Sequence, residues 1–357
     1  MTERKKFRRW PYVLGAVLIL LALAVGLNLN LLRMIFYSNY DPLNKLDVEG
    51  EWAGGTAYRN VRYADVSPSD YLNLYVPSGE TPPPLLVLVH GGGFVLNDCE
   101  SRQAQLFYQY FRDHGYACAT VNYRLAQEAT FPAAVEDVKC AVRFLKAHAD
   151  TYGYDASKVT VWGESAGGYL AVMAGATTDE EFNDLPFIGE DQLEEPVSSK
   201  VDVVLDYYGA VQLESKADRA AAFRALGVPA FVVDIAGSWL SEPIRDMPWA
   251  ESCEDAWVGK PFDALTEAEN QSVQPLCYVK KNLRGETPLA MLIWHGDADI
   301  TVPVTQSRTL CETLKAQNGA EPLAFEVIHN AKHADEGMYS DAKLGELALW
   351  LEAALSR

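Results

Sequence analysis

Ser165 stands at the centre of Gly163-Glu164-Ser165-Ala166-Gly167, directly after the apolar run Val159-Thr160-Val161-Trp162. A serine between glycines at the end of a strand fits a backbone that turns into a helix very tightly. The turn thrusts the serine out at the top of a sheet, and side chains at 163 and 167 would block it. His90-Gly91-Gly92-Gly93 follows a second apolar run, Leu85-Leu86-Val87-Leu88-Val89. A glycine loop in that place can aim backbone N–H groups at an oxygen that is gaining negative charge. A serine hydroxyl is a weak nucleophile until an imidazole accepts its proton as it attacks a carbonyl. The chemistry these residues allow together is acyl transfer. G-x-S-x-G alone is a weak signal; paired with the glycine loop about seventy residues upstream, it is a strong one.

The imidazole and its acid are found by elimination. With a nucleophile on this kind of elbow, the acid and then the histidine follow it along the chain. Of the six histidines, His90, His114 and His148 precede Ser165. His295 closes the strand-like run 289–294 and opens the turn Gly296-Asp297-Ala298-Asp299-Ile300-Thr301-Val302-Pro303, where the acid belongs. His329 and His333 remain as bases. His329 ends the strand-like run 323–328, whereas His333 falls in the following loop, where a ring can swing over the serine; His333 is the expected base. The acid is Asp297 or Asp299.

At this point the motifs resemble a known group. His295-Gly-Asp-Ala-Asp299-Ile-Thr-Val302-Pro303 is similar to the HGxxDxxVP acid motif of many α/β-hydrolases, which implies Asp299 as the acid and Asp297 as a turn residue. His90 to Phe94 and Asn122-Tyr123-Arg124-Leu125-Ala126 resemble the hormone-sensitive-lipase-like carboxylesterases, although Gln127-Glu128 and the acid motif depart from them. The combination looks more like the bacterial acetyl and feruloyl esterases with an HGGG loop, over residues 57–210 and 286–355. The resemblance implies a Ser165–His333–Asp299 triad and an oxyanion hole from the N–H groups of Gly92, Gly93 and Ala166. It also implies a small-molecule or carbohydrate ester as substrate. His90 is expected to brace the loop rather than react.

These residues need a scaffold. Apolar, β-rich runs at 70–77, 85–90, 117–123, 159–163, 201–208, 289–295 and 323–329 alternate with helical periods at 132–149, 165–176, 303–317 and 341–355. That alternation predicts an α/β-hydrolase fold over 36–357, a mostly parallel sheet covered on both faces. The interval of about 210–287 is too long for a simple crossover and is expected to form a lid. Trp239, Trp249, Trp257, Phe262 and Tyr278 are candidates for the pocket wall, or for an apolar core within the lid.

Location is read from the first 35 residues. Arg4, Lys5, Lys6, Arg8 and Arg9 precede an apolar stretch from Tyr12 to Leu32, long enough to span about 30 Å of hydrocarbon as a helix. Basic residues ahead of it predict a single-pass anchor with the N-terminus inside and the catalytic domain outside. A cleaved signal peptide ending near Ala22-Leu23-Ala24 is the alternative. The whole chain carries −19; residues 1–35 hold six basic and one acidic side chain, so the remainder carries −24. Such a surface repels nucleic acid. The six cysteines have no metal-ligand spacing, and no cofactor motif occurs. Outside the cell a Cys253–Cys277 disulfide would be permitted. A carboxylic-ester hydrolase of short acyl esters is the leading reading. A peptidase or amidase on the same fold, and a non-catalytic binding module, are the alternatives.

Overall fold

The computed structural model describes residues 52–228, 244, 247–284, 289–317 and 319–357. The apolar N-terminal segment and Trp239 lie outside these. No helix among the described residues is long and apolar enough to cross a membrane.

One sheet carries the strands β1 (Gly55–Arg62), β2 (Tyr71–Pro77), β3 (Pro84–Val89), β4 (Ala117–Val121), β5 (Asp155–Glu164), β6 (Val203–Tyr207), β7 (Ala290–Gly296) and β8 (Leu323–Ile328). Their order is β1-β2-β4-β3-β5-β6-β7-β8. From β4 to β8 every pairing is parallel, while β2 runs antiparallel to both β1 and β4. The seven apolar runs of the sequence become β2 to β8. The added edge strand, β1, has the sequence GTAYRNVR and buries neither face fully. A register shift between Tyr58 and Val61 interrupts it further. With half of its residues exposed, β1 needs no apolar pattern, and so gave no signal.

Alternation within β3 shows how the sheet is covered. Leu85, Val87 and Val89 join one apolar cluster, with residues of the helices α2 (Ala133–Ala147), α3 (Ala166–Ala176) and α6 (Pro275–Asn282). Leu86 and Leu88 join the other, with α1 (Arg102–Asp113) and α8 (Asp341–Leu355). Each such side chain, removed from water, contributes about 1.5–3 kcal/mol, which is why the central strands read as continuous apolar runs. Ser101 caps α1, and Phe107 on that helix stacks on Trp162 of β5 at 4.5 Å.

The chain leaves β3 for β4, then returns across β3 to β5. The carboxyl ends of β3 and β5 therefore flank a point where the winding reverses, the usual place for a site in an open α/β sheet. Register does the rest. Val89 pairs with Gly163, which sets the glycine loop beside the Ser165 turn. Gly296 pairs with Ile328, which brings the acid turn beside the histidine loop.

The interval expected as a lid is only partly one. It holds α4 (Lys216–Ala225), α5 (Cys253–Val258) and α6. Leu276 and Val279 of α6 are buried, Asn282 Nδ2 donates to Ala176 O at 2.8 Å, and Tyr169 donates its hydroxyl to Val273 O at 2.7 Å. That end of the interval belongs to the layer covering the sheet. Trp257 stacks on Phe94 at 4.1 Å and Phe262 is buried in the same main core; Trp249 is exposed. None of Trp249, Trp257, Phe262 and Tyr278 lines the cavity described below. Trp257 and Phe262 give their apolar area to the main core instead. The Cys253–Cys277 bridge that the sequence permitted is not formed. Both thiols are free: Cys253 opens α5 against Gly93, and Cys277 lies in α6.

Candidate active site

Ser165 joins β5 to α3 at φ +54°. For a residue with a side chain that backbone costs on the order of 1–3 kcal/mol, and it persists only where the surroundings impose it. Here Ser165 N–H donates to Tyr207 O at 2.9 Å, and its carbonyl accepts from Tyr169 N–H at 3.1 Å. A Cβ on Gly163 would stand 2.0 Å from Gly167 O, and one on Gly167 would stand 2.0 Å from Val89 O. Both positions must be glycine because backbone fills the space.

His333 Nε2 lies 3.0 Å from Ser165 Oγ, and His333 Nδ1 lies 2.7 Å from Asp299 Oδ2. Asp299 Oδ1 accepts from the N–H groups of Thr301 at 2.7 Å and Val302 at 2.9 Å. His295 Nε2 adds a contact to Asp299 Oδ2 at 3.3 Å, and its Nδ1 is held 2.7 Å from Ser307 Oγ. Burial pushes the Asp299 carboxyl up, but the charge of His333 and the bonds from His295 and His333 hold it well below the usual carboxylate range. Burial likewise pulls His333 down, yet the charge and hydrogen bond of Asp299, with the charge of Glu164, leave it above an ordinary histidine. The other candidates pair with each other: His329 Nδ1 meets Asp297 Oδ2 at 2.8 Å. The His329 side chain is 82% exposed, against 12% for His333. The structure thus brings Ser165, His333 and Asp299 together and leaves His329 and Asp297 at the surface.

The glycine loop is folded by its own backbone. Gly92 and Gly93 have φ of +115° and +59°, and Gly92 O accepts from Val95 and Leu96 N–H. A Cβ on Gly92 would stand 2.3 Å from Leu96 O. His90 is buried, with Nδ1 2.7 Å from Gly91 O and its ring stacked on Tyr123 at 4.3 Å. The stretch after β4 supports the loop: Ala126 N–H donates to Phe94 O at 2.8 Å, and Arg124 binds Asp137 through Nε and Nη2. Gly92, Gly93, Ser165, Ala166 and His333 line one cavity of about 190 Å³. A carbonyl bound there would lie beside Ser165, His333 and the residues Gly92, Gly93 and Ala166.

Sequence reasoning passed over Glu164, the variable position of G-x-S-x-G. It is buried beside the pocket, and its Oε1 accepts from Gly91 N–H at 2.7 Å, tying the elbow to the glycine loop. Burial raises its carboxyl, against the pull of His333, Gly91 and Tyr208. Tyr208, hydrogen-bonded to Tyr339, sets its ring 4.9 Å from that of His333. No local pattern marks these residues, because strands distant in sequence bring them together.

Among proteins of known name, the chain is 28% identical over 262 residues to Esterase LipC of Mycobacterium tuberculosis, covering 72% of this chain and 55% of that protein. Esterase LipQ of the same organism is 26% identical over 255 residues, covering 70% of this chain and 50% of LipQ. The chain spans about half the length of these relatives. A solved structure described as the truncated form of a carbohydrate esterase from gut microbiota superposes with a TM-score of 0.65 at 23% identity, over 86% of this chain and 99% of that one. The likeness shows a shared fold. A family model takes in residues 72–314, a span that holds the glycine loop, the elbow and the acid turn, and the chain belongs to the BD-FAE family.

Proposed function

We propose that this protein is a carboxylic-ester hydrolase acting on short acyl esters through Ser165, His333 and Asp299. The observation that carries the reading is the continuous run of contacts from Asp299 Oδ2 through His333 to Ser165 Oγ, at 2.7 and 3.0 Å, opening on a cavity rimmed by Gly92, Gly93 and Ala166. His333 Nε2 takes the Ser165 proton as Oγ bonds to the carbonyl carbon. The N–H groups of Gly92, Gly93 and Ala166 stabilise the negative oxygen more in the transition state than in the substrate. The C–O bond to the alcohol then breaks, and the alkoxide leaves with the proton from His333. Water, activated by the same imidazole, releases the acid from the acyl-enzyme. Asp299 holds the tautomer and stabilises the imidazolium. Relatives named as esterases support the reaction class. The segment 4–32 supports an anchored domain outside the membrane.

A cavity of about 190 Å³ suits a short acyl group. An alkoxide also departs with less proton assistance than an amine. Comparison of kcat/KM for p-nitrophenyl acetate, octanoate and palmitate with a prolyl anilide tests both points. Acetate is expected to exceed palmitate by at least about tenfold, with the anilide slowest. An anilide turned over faster than acetate would assign the chain to the peptidases instead.

The base must be neutral to accept the serine proton, so activity is lost as pH falls through the His333 pKa. Since Asp299 holds that pKa up, the acid limb of kcat/KM is expected above pH ~6.5, the ordinary histidine value. A limb at or below that value would contradict the assigned charge balance.

A further inference from the structure

His295 is fully buried, and no step above uses it. Its Nε2 faces two acceptors, Val302 O at 3.0 Å and Asp299 Oδ2 at 3.3 Å. A carbonyl and an ionised carboxylate can only accept, so this nitrogen carries the ring hydrogen. Nδ1 of the neutral ring then accepts from the hydroxyl of Ser307, 2.7 Å away on the helix Val304–Gln317 and equally buried. The ring closes the acid turn. Val302, whose carbonyl takes the His295 hydrogen, sends its own N–H to Asp299 Oδ1 at 2.9 Å. Asp299 Oδ2 therefore stands between two imidazoles, of which His333 is the one on Ser165 Oγ. Asp206 of β6 is the other carboxylate that interacts with His295. It is buried, with Oδ1 accepting from Gly209 N–H at 3.0 Å, and burial pushes it up to about 7 against the pull of His295 and Gly209. On His333 the acting carboxylates are Asp299 and Glu164.

We propose that His295 is a positioning residue for the triad: it clamps the turn that carries Asp299 and tempers the charge that Asp299 presents to His333. Ser307 fixes the tautomer this requires. The inference rests on the ester-hydrolase reading and deepens it at the acid. In a dry site, a donor on a carboxylate lessens the negative charge that a second partner meets. Without the His295 donor, Asp299 favours the imidazolium of His333 more strongly, and the base stays protonated to higher pH. A ring that merely filled space would act the other way when lost. The turn would loosen, and Asp299 would hold the His333 proton less.

The test is the pH profile of kcat/KM for p-nitrophenyl acetate. His295→Leu is expected to move the acid limb upward by about half a pH unit or more. His295→Gln, which keeps an N–H near the place of Nε2, is expected to return the limb to within about a quarter of a unit of wild type. Ser307→Ala removes only a hydroxyl, so it serves where His295→Leu fails to fold. A ring without the Ser307 donor is a weaker donor itself, and a smaller upward shift is expected. Titration of the His333 ring protons by NMR in a Ser165→Ala protein, with and without these substitutions, reads the same shift free of turnover. The shift is also expected to persist with Asp206→Asn; its loss there would assign it to Asp206 and refute the role of His295. A limb that stays or moves down in the folded variants overturns the proposal and leaves the esterase reading intact. Absence of ester turnover in the wild type would instead sink that reading, while the NMR titration would still decide on His295.

Discussion

Ser165→Ala is expected to lower kcat for p-nitrophenyl acetate by about 10⁴–10⁶-fold while the protein stays folded. The loss is large because the hydroxyl is the group that forms the bond. His333 then has no proton to accept from it, and the glycine loop stabilises an oxyanion that no longer forms at that carbon. Folding should hardly notice, since one oxygen is removed beside an open cavity and the backbone bonds of residue 165 remain. A second substitution separates chemistry from strain. Ser165→Gly should be equally inactive yet melt above Ser165→Ala, because the φ of +54° is unfavourable for any side chain and free for glycine. Turnover is read by product release and stability by thermal unfolding. An alanine variant retaining a tenth of wild-type kcat would remove Ser165 as the nucleophile.

Two histidines four residues apart and two aspartates two residues apart give a sharper contrast. His333→Ala is expected to cost about as much as Ser165→Ala, since the two groups act as one unit. Asp299→Asn is expected to cost on the order of 10⁴-fold by leaving the imidazole in the wrong tautomer. At the surface, His329→Ala and Asp297→Asn should change kcat/KM by less than about threefold, because an exposed ion pair contributes little. Both lie outside the contacts that reach Ser165. The measurement is kcat/KM for all four variants, with circular dichroism to show folding. If His329→Ala were inactive and His333→Ala active, the ring observed 3.0 Å from Ser165 Oγ would not be the base.

Much of the scaffold was legible in consecutive residues. Strands buried on both faces must be apolar throughout, so β2 to β7 announce themselves, as do α2, α3, α7 (Val304–Gln317) and α8 by their period. The elbow and the glycine loop are legible for a stronger reason. At Gly163, Gly167 and Gly92 backbone stands within 2.3 Å of where a Cβ would be and admits only glycine, so steric demand is written directly into residue type. Edge strand β1, half of whose residues are exposed, carries no such demand.

Sequence alone determined that a serine elbow, a glycine loop and a later acid and histidine share one chain, because each is a local feature. Tertiary structure decided which of them meet. Asp297 and Asp299 are the same residue type in the same turn. Only the pairing of β7 with β8 and the Thr301 and Val302 N–H groups set one carboxylate inward, while the other stays at the surface. Trp257 reads as pocket wall or as lid core until Phe94 of the main core is stacked against it. Glu164 carries no motif at all. It is tied to Gly91 across 73 residues. Long-range contacts of this kind depend on register and winding, which no window of sequence contains.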